Sequence, residues 1–263
     1  MSEAMRRDLL ILSYHTASPS WPSPLAVEPQ RLEGQLRMLL RRGYRPATLD
    51  DAANGPPAAR ALAVTFDDAF ATVFQHARPV LAGLGIPGTV FVPTDYPERC
   101  APMAWPGIDH WVGGEHDREL LPMTWAQLRE LARDGWEIGS HTCSHPRLTQ
   151  LSDAALEREL TDSRARIEQE IARPCLSLAY PFGVHDDRVV AATRAAGYRN
   201  AVTVPDDLRA TDALRRPRIG VYRTESPSSF RMKVSPLARA LRRTPLAGTV
   251  TRTTRGVLRR LRS

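Results

Sequence analysis

The chain has 263 residues, 42% of them hydrophobic, and a formal net charge of +7, a length that fits one large α/β domain or two small ones and accommodates a single barrel comfortably. No run of eighteen or more apolar residues occurs, which excludes a readable membrane span, and Cys100, Cys143 and Cys175 lack CxxC spacing, which argues against a disulfide framework and for a reducing compartment. The charge is unevenly placed: no Asp or Glu follows Glu225 while ten basic residues do, so the remaining 26 basic groups face 29 acidic ones and the body carries about −3.

Arg6-Arg7 followed by Leu9-Leu10-Ile11-Leu12 has the outline of a secretory leader. The apolar run is too short for one and continues into Ser13-Tyr14-His15 with no small-residue cleavage site, so residues 9–14 read as a first strand with His15 at its end. A Pro- and Ser-rich loop covers 16–26. Leu32, Leu36, Leu39 and Leu40 keep helical spacing, with Pro29 in the first turn and Gly43 as the stop. Residues 44–49 read as a second strand, and 54–57 break the chain before a buried strand at 61–66 that ends in Asp67-Asp68. Phe70, Val73, Phe74, Ala77, Val80, Leu81 and Leu84 predict one amphipathic helix, kinked at Pro79.

A strand at 88–93 leads into a Pro-, Trp- and Gly-rich excursion over 94–122, containing His110 and His116 and suited either to a binding loop or to decoration. Thr124 and Gln127 form a capping box for a helix to Asp134, stopped by Gly135. A strand at 136–139 then delivers Ser140-His141-Thr142-Cys143-Ser144-His145. A helix over 152–172, a strand at 176–180 ending in Pro181-Phe182-Gly183, a helix over 188–196 and strands at 200–204 and 218–221 complete a catalytic unit of residues 1–225, with 226–263 as a basic tail. Alternating strands and helices imply parallel strands with helices outside, an arrangement whose functional residues sit at strand C-terminal ends. His15, Asp67, Asp68, His141, His145 and the Tyr180 turn all hold that position.

Two adjacent carboxylates at a strand end repel unless a cation or proton relieves them. Two His four apart present both imidazoles to one ion if the backbone takes a helical turn, a carboxylate supplies a third ligand, and Cys143 then points away.

Three segments, Thr65-Phe66-Asp67-Asp68, then Ser140-His141-Thr142 with His145, then Ala179-Tyr180-Pro181-Phe182-Gly183, each follow a strand. Together they make residues 9–221 resemble the polysaccharide deacetylase family, carbohydrate esterase family four, whose catalytic domain is a distorted (β/α) barrel. The resemblance implies that Asp68, His141 and His145 bind a divalent metal, typically zinc, that Asp67 is the general base, that the Phe182 backbone N–H, beside Tyr180, stabilises an oxyanion, and that the substrate is an N-acetylated carbohydrate. Three features depart from the common pattern. Ala179 stands where many members carry an Arg that pairs with the base, no Trp follows Trp136, and no His follows His185. A branch that includes poly-N-acetylglucosamine deacetylases of biofilm synthesis is similar in all three respects and uses an early Tyr-His, matching Tyr14-His15, as acid. His15 is therefore the implied acid, and Arg218 on the last strand the replacement partner for Asp67.

The resulting reading is a metal-dependent hydrolase of carbon–nitrogen bonds other than peptide bonds. Its rivals are a same-fold amidohydrolase acting on a small cyclic amide and a non-catalytic glycan-binding relic, the latter opposed by retention of Asp67 with all three ligands. In the tail, Val250, Val257, Leu258 and Leu261 keep rough helical spacing among Arg residues, as an interfacial helix on an anionic membrane would, the alternative being a solvated basic extension. Nucleic acid is disfavoured because no aromatic residue follows Phe230 to stack on bases. The expected location is cytoplasmic, peripheral at the inner membrane face.

Overall fold

A computed structural model describes residues 8–56, 59–204, 208 and 212–243. Its strands are β1 (Asp8–Tyr14), β2 (Thr16–Ala17), β3 (Ala26–Val27), β4 (Arg45–Ala47), β5 (Arg60–Phe66), β6 (Gly88–Val92), β7 (Glu137–Ser140), β8 (Ser177–Ala179), β9 (Asn200–Thr203), β10 (Arg216–Pro217) and β11 (Ile219–Gly220). The helices are α1 (Pro29–Arg41), α2 (Leu49–Asn54), α3 (Arg78–Gly83), α4 (Trp125–Arg133), α5 (Asp153–Ile171), α6 (Asp187–Ala195), α7 (Pro227–Lys233) and α8 (Pro236–Arg242). The main sheet runs β10-β9-β8-β7-β6-β5-β1-β11, with β4 against the first half of β5, and its pairings are parallel.

The two edges of this sheet belong to one stretch of chain. Arg216 and Pro217 pair with β9, Ile219 and Gly220 pair with β1, and between them the Arg218 N–H donates to the Thr203 carbonyl at 2.8 Å. The sheet thus curls into a nearly closed parallel barrel with helices on its outside, the distorted (β/α) barrel expected from the sequence.

Period-two alternation sorts each strand between two cores. Leu62, Val64 and Phe66 of β5 face the helices in the main core, whereas Ala61 and Ala63 face a second cluster with Ile11, Phe91, Ala179 and Val202. That second cluster is the barrel interior, plugged at the strand-start end by Leu49 and Ala52 of α2. A polar layer lies beside the plug, where the Glu137 carboxylate accepts from Ser177 Oγ and Thr89 Oγ1 and from the Asp50 N–H. Phe91 fills the middle of the barrel among the small residues Ala61 and Ala63 of β5 and Ala179 of β8, and β7 must carry a glycine beside it. A Cβ on Gly139 would lie 2.7 Å from the Phe91 ring and 2.9 Å from the Ser177 carbonyl oxygen.

The helix expected after Asp68 is present and is irregular before Pro79: a turn at 68–69 leads to helical residues from 71, the helix widens to a π-type turn over Val73–Ala77, and α3 resumes the α geometry at Arg78. Pro79 has no N–H to give the turn before it, and the wider turn absorbs the missing bond. The described first part of the segment read as a basic tail, up to Arg243, packs on the body. Phe230 and Val234 are buried in the main core, and the buried Arg239 joins α8 to the start of β1 through Asp8 at 2.7 Å and the Tyr44 hydroxyl at 2.6 Å. The apolar positions read as a tail helix, Val250, Val257, Leu258 and Leu261, lie outside the described residues.

Overpacking at Gly139 gives a direct check of this interior. Gly139→Ala should lower stability by about 1–3 kcal/mol in urea denaturation; an unchanged midpoint would mean that the barrel centre is looser than the Phe91 contact shows.

Candidate active site

The inward parity of the strands continues past their ends. On β1 the interior residues Ile11 and Ser13 are followed in register by His15, and on β5 Ala61, Ala63 and Thr65 are followed by Asp67. Asp67 is buried, its N–H donates to the Tyr14 carbonyl at 3.0 Å, and its carboxylate meets Arg218 in a bidentate pair of 2.6 and 2.7 Å. Ser13 Oγ lies 3.4 Å from the same carboxylate. The guanidinium also donates to Thr65 Oγ1 at 3.0 Å and lies over the Phe91 ring, so it is held from below by the barrel interior. Burial alone would raise the Asp67 pKa. The Arg218 charge, the His141 charge and the paired hydrogen bonds outweigh it and hold the carboxyl well below the usual range.

Asp68 is turned away from that partner by a left-handed backbone, φ +69 followed by +53 at Ala69. Its Oδ1 lies 3.3 Å from His141 Nε2 and 3.4 Å from His145 Nε2. These three residues could hold one metal ion, their ligand atoms all lying within 4.8 Å of one another. The donor chemistry fits. His141 Nδ1 is 2.8 Å from the Ala179 carbonyl, which can only accept, so in the neutral ring Nε2 carries a lone pair toward Asp68 Oδ1, itself buried without a hydrogen-bond partner. Two acceptors facing each other in a buried site call for a cation. Burial favours neutral His141, but the Asp68 contact and the charges of both Asp residues outweigh it and move its pKa up; burial and the His141 charge push His145 down to about 3.

The two imidazoles do not come together through a helical turn. The segment 141–145 is irregular, with φ +69 at Thr142 and +63 at His145, and is pinned by Ser140 Oγ accepting from the Thr142 N–H and Thr142 Oγ1 from the His145 N–H. Non-glycine residues in this region carry strain that surrounding contacts must offset. Among the described residues, five of the seven such residues, Asp68, Ala69, Thr142, His145 and Phe182, belong to these site loops.

All eight residues singled out from the sequence, His15, Asp67, Asp68, His141, His145, Tyr180, Phe182 and Arg218, line one cavity of about 530 Å³. Tyr180 contributes its ring alone, because its hydroxyl donates to the Leu214 carbonyl at 2.9 Å. The rest of the wall was not foreseen residue by residue. The 94–122 excursion folds over the site and supplies Trp105, Pro106, Gly107, Ile108, His110 and Trp111. Trp105 stacks on His145 at 4.1 Å and Phe182 packs edge-on against it at 4.7 Å, while His145 Nδ1 is buried with no protein partner. The Trp-rich composition of the excursion was the available signal, but it carried no register to say which Trp meets which His.

The polysaccharide deacetylase family model matches residues 54–201, more than half of the chain. The chain belongs to that family. It is accordingly a hydrolase of carbon–nitrogen bonds other than peptide bonds, of polysaccharide deacetylase type. Among curated relatives, YxkH of Bacillus subtilis (strain 168), whose name places it with polysaccharide deacetylases, is 26% identical over 220 residues, 80% of this chain and 71% of its own length. The poly-β-1,6-N-acetyl-D-glucosamine N-deacetylase of Staphylococcus aureus (strain MSSA476) is 23% identical over 187 residues, 66% of this chain, and the chain spans only 59% of that enzyme's length. The Streptococcus pyogenes deacetylase PplD, solved with acetate, shares the fold with a TM-score of 0.69 and 22% identity over 88% of this chain and 98% of its own.

Two measurements follow from the contacts of this polysaccharide deacetylase site. A carboxyl whose folded pKa is depressed contributes stability that is present above its unfolded value, about 3.9, and is lost as pH falls through the folded value. Arg218→Met should therefore cost about 3–5 kcal/mol at pH 7, with the deficit shrinking below pH 4 in urea titrations; a pH-independent deficit would assign the loss to packing. Trp105→Ala should weaken metal binding about tenfold by competition with a chromophoric chelator, Trp105→Phe much less, since partners that orient a ligating His are commonly worth that much.

Proposed function

We propose that the enzyme removes acetyl groups from an N-acetylated amino sugar of a glycan, glycolipid or related precursor, with zinc as its metal. The observation that carries the reading is the division of labour between adjacent carboxylates in one cavity: Asp67 gripped by a guanidinium, Asp68 facing two imidazoles. A divalent ion bound by Asp68, His141 and His145 would supply Lewis acidity toward an acyl oxygen and acidify a water molecule.

The protein's own groups do the rest. Asp67 accepts the proton of the attacking water; Arg218 keeps it ionised and fixes its direction. The same grip weakens Asp67 as a base, so the water it serves must already be acidic. His15, on the cavity wall with its Nδ1 buried and without a protein partner, delivers a proton to the departing nitrogen. The Phe182 N–H, in a turn with φ +59, donates to the oxygen on which negative charge develops. Leu25, Trp105, Ile108 and Trp111 present apolar faces suited to the acetyl methyl and the ring face of a sugar. The S. aureus relative, whose name specifies an N-acetylglucosamine polymer, supports this substrate class.

The test is metal content and acetate release on the same samples, using N-acetylglucosamine oligomers and the wild type, His141→Ala and Asp67→Asn proteins. Stoichiometric zinc in the wild type, its loss in His141→Ala, and a fall in kcat of at least about 10²-fold with metal retained in Asp67→Asn are expected. Metal without acetate release from any N-acetylated sugar, together with turnover of a small cyclic amide, would overturn the substrate assignment. Full turnover by Asp67→Asn would overturn the base.

A further inference from the structure

Residues 141–145 form no regular element, yet each of their five N–H groups has an acceptor. The His141 N–H donates to the Val92 carbonyl at 2.9 Å, the Thr142 N–H to Ser140 Oγ at 3.0 Å, and the His145 N–H to Thr142 Oγ1 at 3.1 Å. The two between them, those of Cys143 and Ser144, both donate to Oε2 of Glu159, at 2.8 and 3.0 Å. The other oxygen of that carboxylate accepts from Ser144 Oγ at 2.6 Å. Two successive N–H groups aimed at one oxygen make an anion-binding concavity, filled here by the protein's own carboxylate. Bonds to an ionised acceptor are the stronger kind.

Glu159 lies on α5 and does not line the cavity. One turn along the same helix face, the buried Ser163 brings its Oγ to 2.8 Å from Ser140 Oγ, the acceptor of the Thr142 N–H. The helix thus holds the loop at two points. From β6, the Thr94 and Asp95 N–H groups donate to the Thr142 and Cys143 carbonyls at 3.1 and 3.0 Å. The two imidazoles depend on this support to different degrees. His141 is aimed through its own ring, by Nδ1 against the Ala179 carbonyl, whereas His145 Nδ1 has no protein partner. The direction of His145 therefore comes from ring packing and from its backbone, which is left-handed and directly follows the two N–H groups that Glu159 binds.

We infer that Glu159 is a positioning residue for the metal site: by gripping the Cys143 and Ser144 N–H groups it fixes the strained loop so that His145 meets Asp68 and His141 in a ligating arrangement. The inference rests on reading those three residues as ligands and is independent of the substrate. The experiment is zinc affinity of the full-length protein by competition with a chromophoric chelator, alongside amide hydrogen exchange of the metal-free protein. Glu159→Ala should bind zinc at least about tenfold more weakly, and its Cys143 and Ser144 amides should exchange faster without metal. Two further variants separate reach from charge. Glu159→Gln should keep most of the affinity, because its amide oxygen accepts both N–H groups while its NH₂ donates to Ser144 Oγ. Glu159→Asp keeps the charge but is one methylene too short, so it should bind zinc as weakly as Glu159→Ala, and it serves in that variant's place if the alanine protein does not fold. Wild-type affinity in Glu159→Ala or Glu159→Asp would overturn the inference. So would a Glu159→Gln as weak as Glu159→Ala beside a Glu159→Asp that binds normally, which would assign the effect to charge. Unchanged exchange of the two amides in Glu159→Ala would remove the grip itself. No zinc binding by the wild type would overturn the ligand assignment, and the inference with it.

Discussion

Two consecutive buried carboxylates cannot share one environment, and much of the molecule follows from keeping Asp67 and Asp68 apart. Strand alternation would place their side chains on opposite faces, one inside the barrel and one among the helices, where an ionised Asp68 would meet apolar surroundings. The left-handed backbone at Asp68 and Ala69 bends it back over the strand ends. Asp67 keeps the interior direction and takes the guanidinium; Asp68 takes the two imidazoles. The net depression of the Asp67 pKa against its own burial measures how strongly the first partnership holds.

That partnership is also where the barrel closes. Arg218 sits between the residues that pair with β9 and those that pair with β1, so the side chain holding Asp67 and the backbone N–H binding Thr203 belong to the residue that joins the two sheet edges. Its charge lies over Phe91, the side chain that fills the barrel middle and demands Gly139 beside it. Packing in the interior and the electrostatics of the base are therefore coupled through one side chain. An Arg arriving from the third motif would have occupied the region where Ala179 now helps line the narrow interior.

The fold was readable because its signals are periodic. The β5 run and the helical spacing of α1 and α4 survive as expected, including the Thr124–Gln127 capping box. The site residues were readable because each follows a strand, and for His15, Asp67 and Arg218 strand parity would have added that they point inward. Geometry without a period was not readable. Nothing in Ser140-His141-Thr142-Cys143-Ser144-His145 distinguishes a helical turn from the strained loop found, since Thr142 and His145 are not residues that advertise positive φ. Trp105 escaped for a related reason: an irregular excursion has no register, so its place over His145 depends on the packing of Trp105 against Tyr96 and of Met103 and Ile108 in the main core. The basic composition after 226 gave no sign that Phe230, Val234 and Arg239 are buried, which is a tertiary fact.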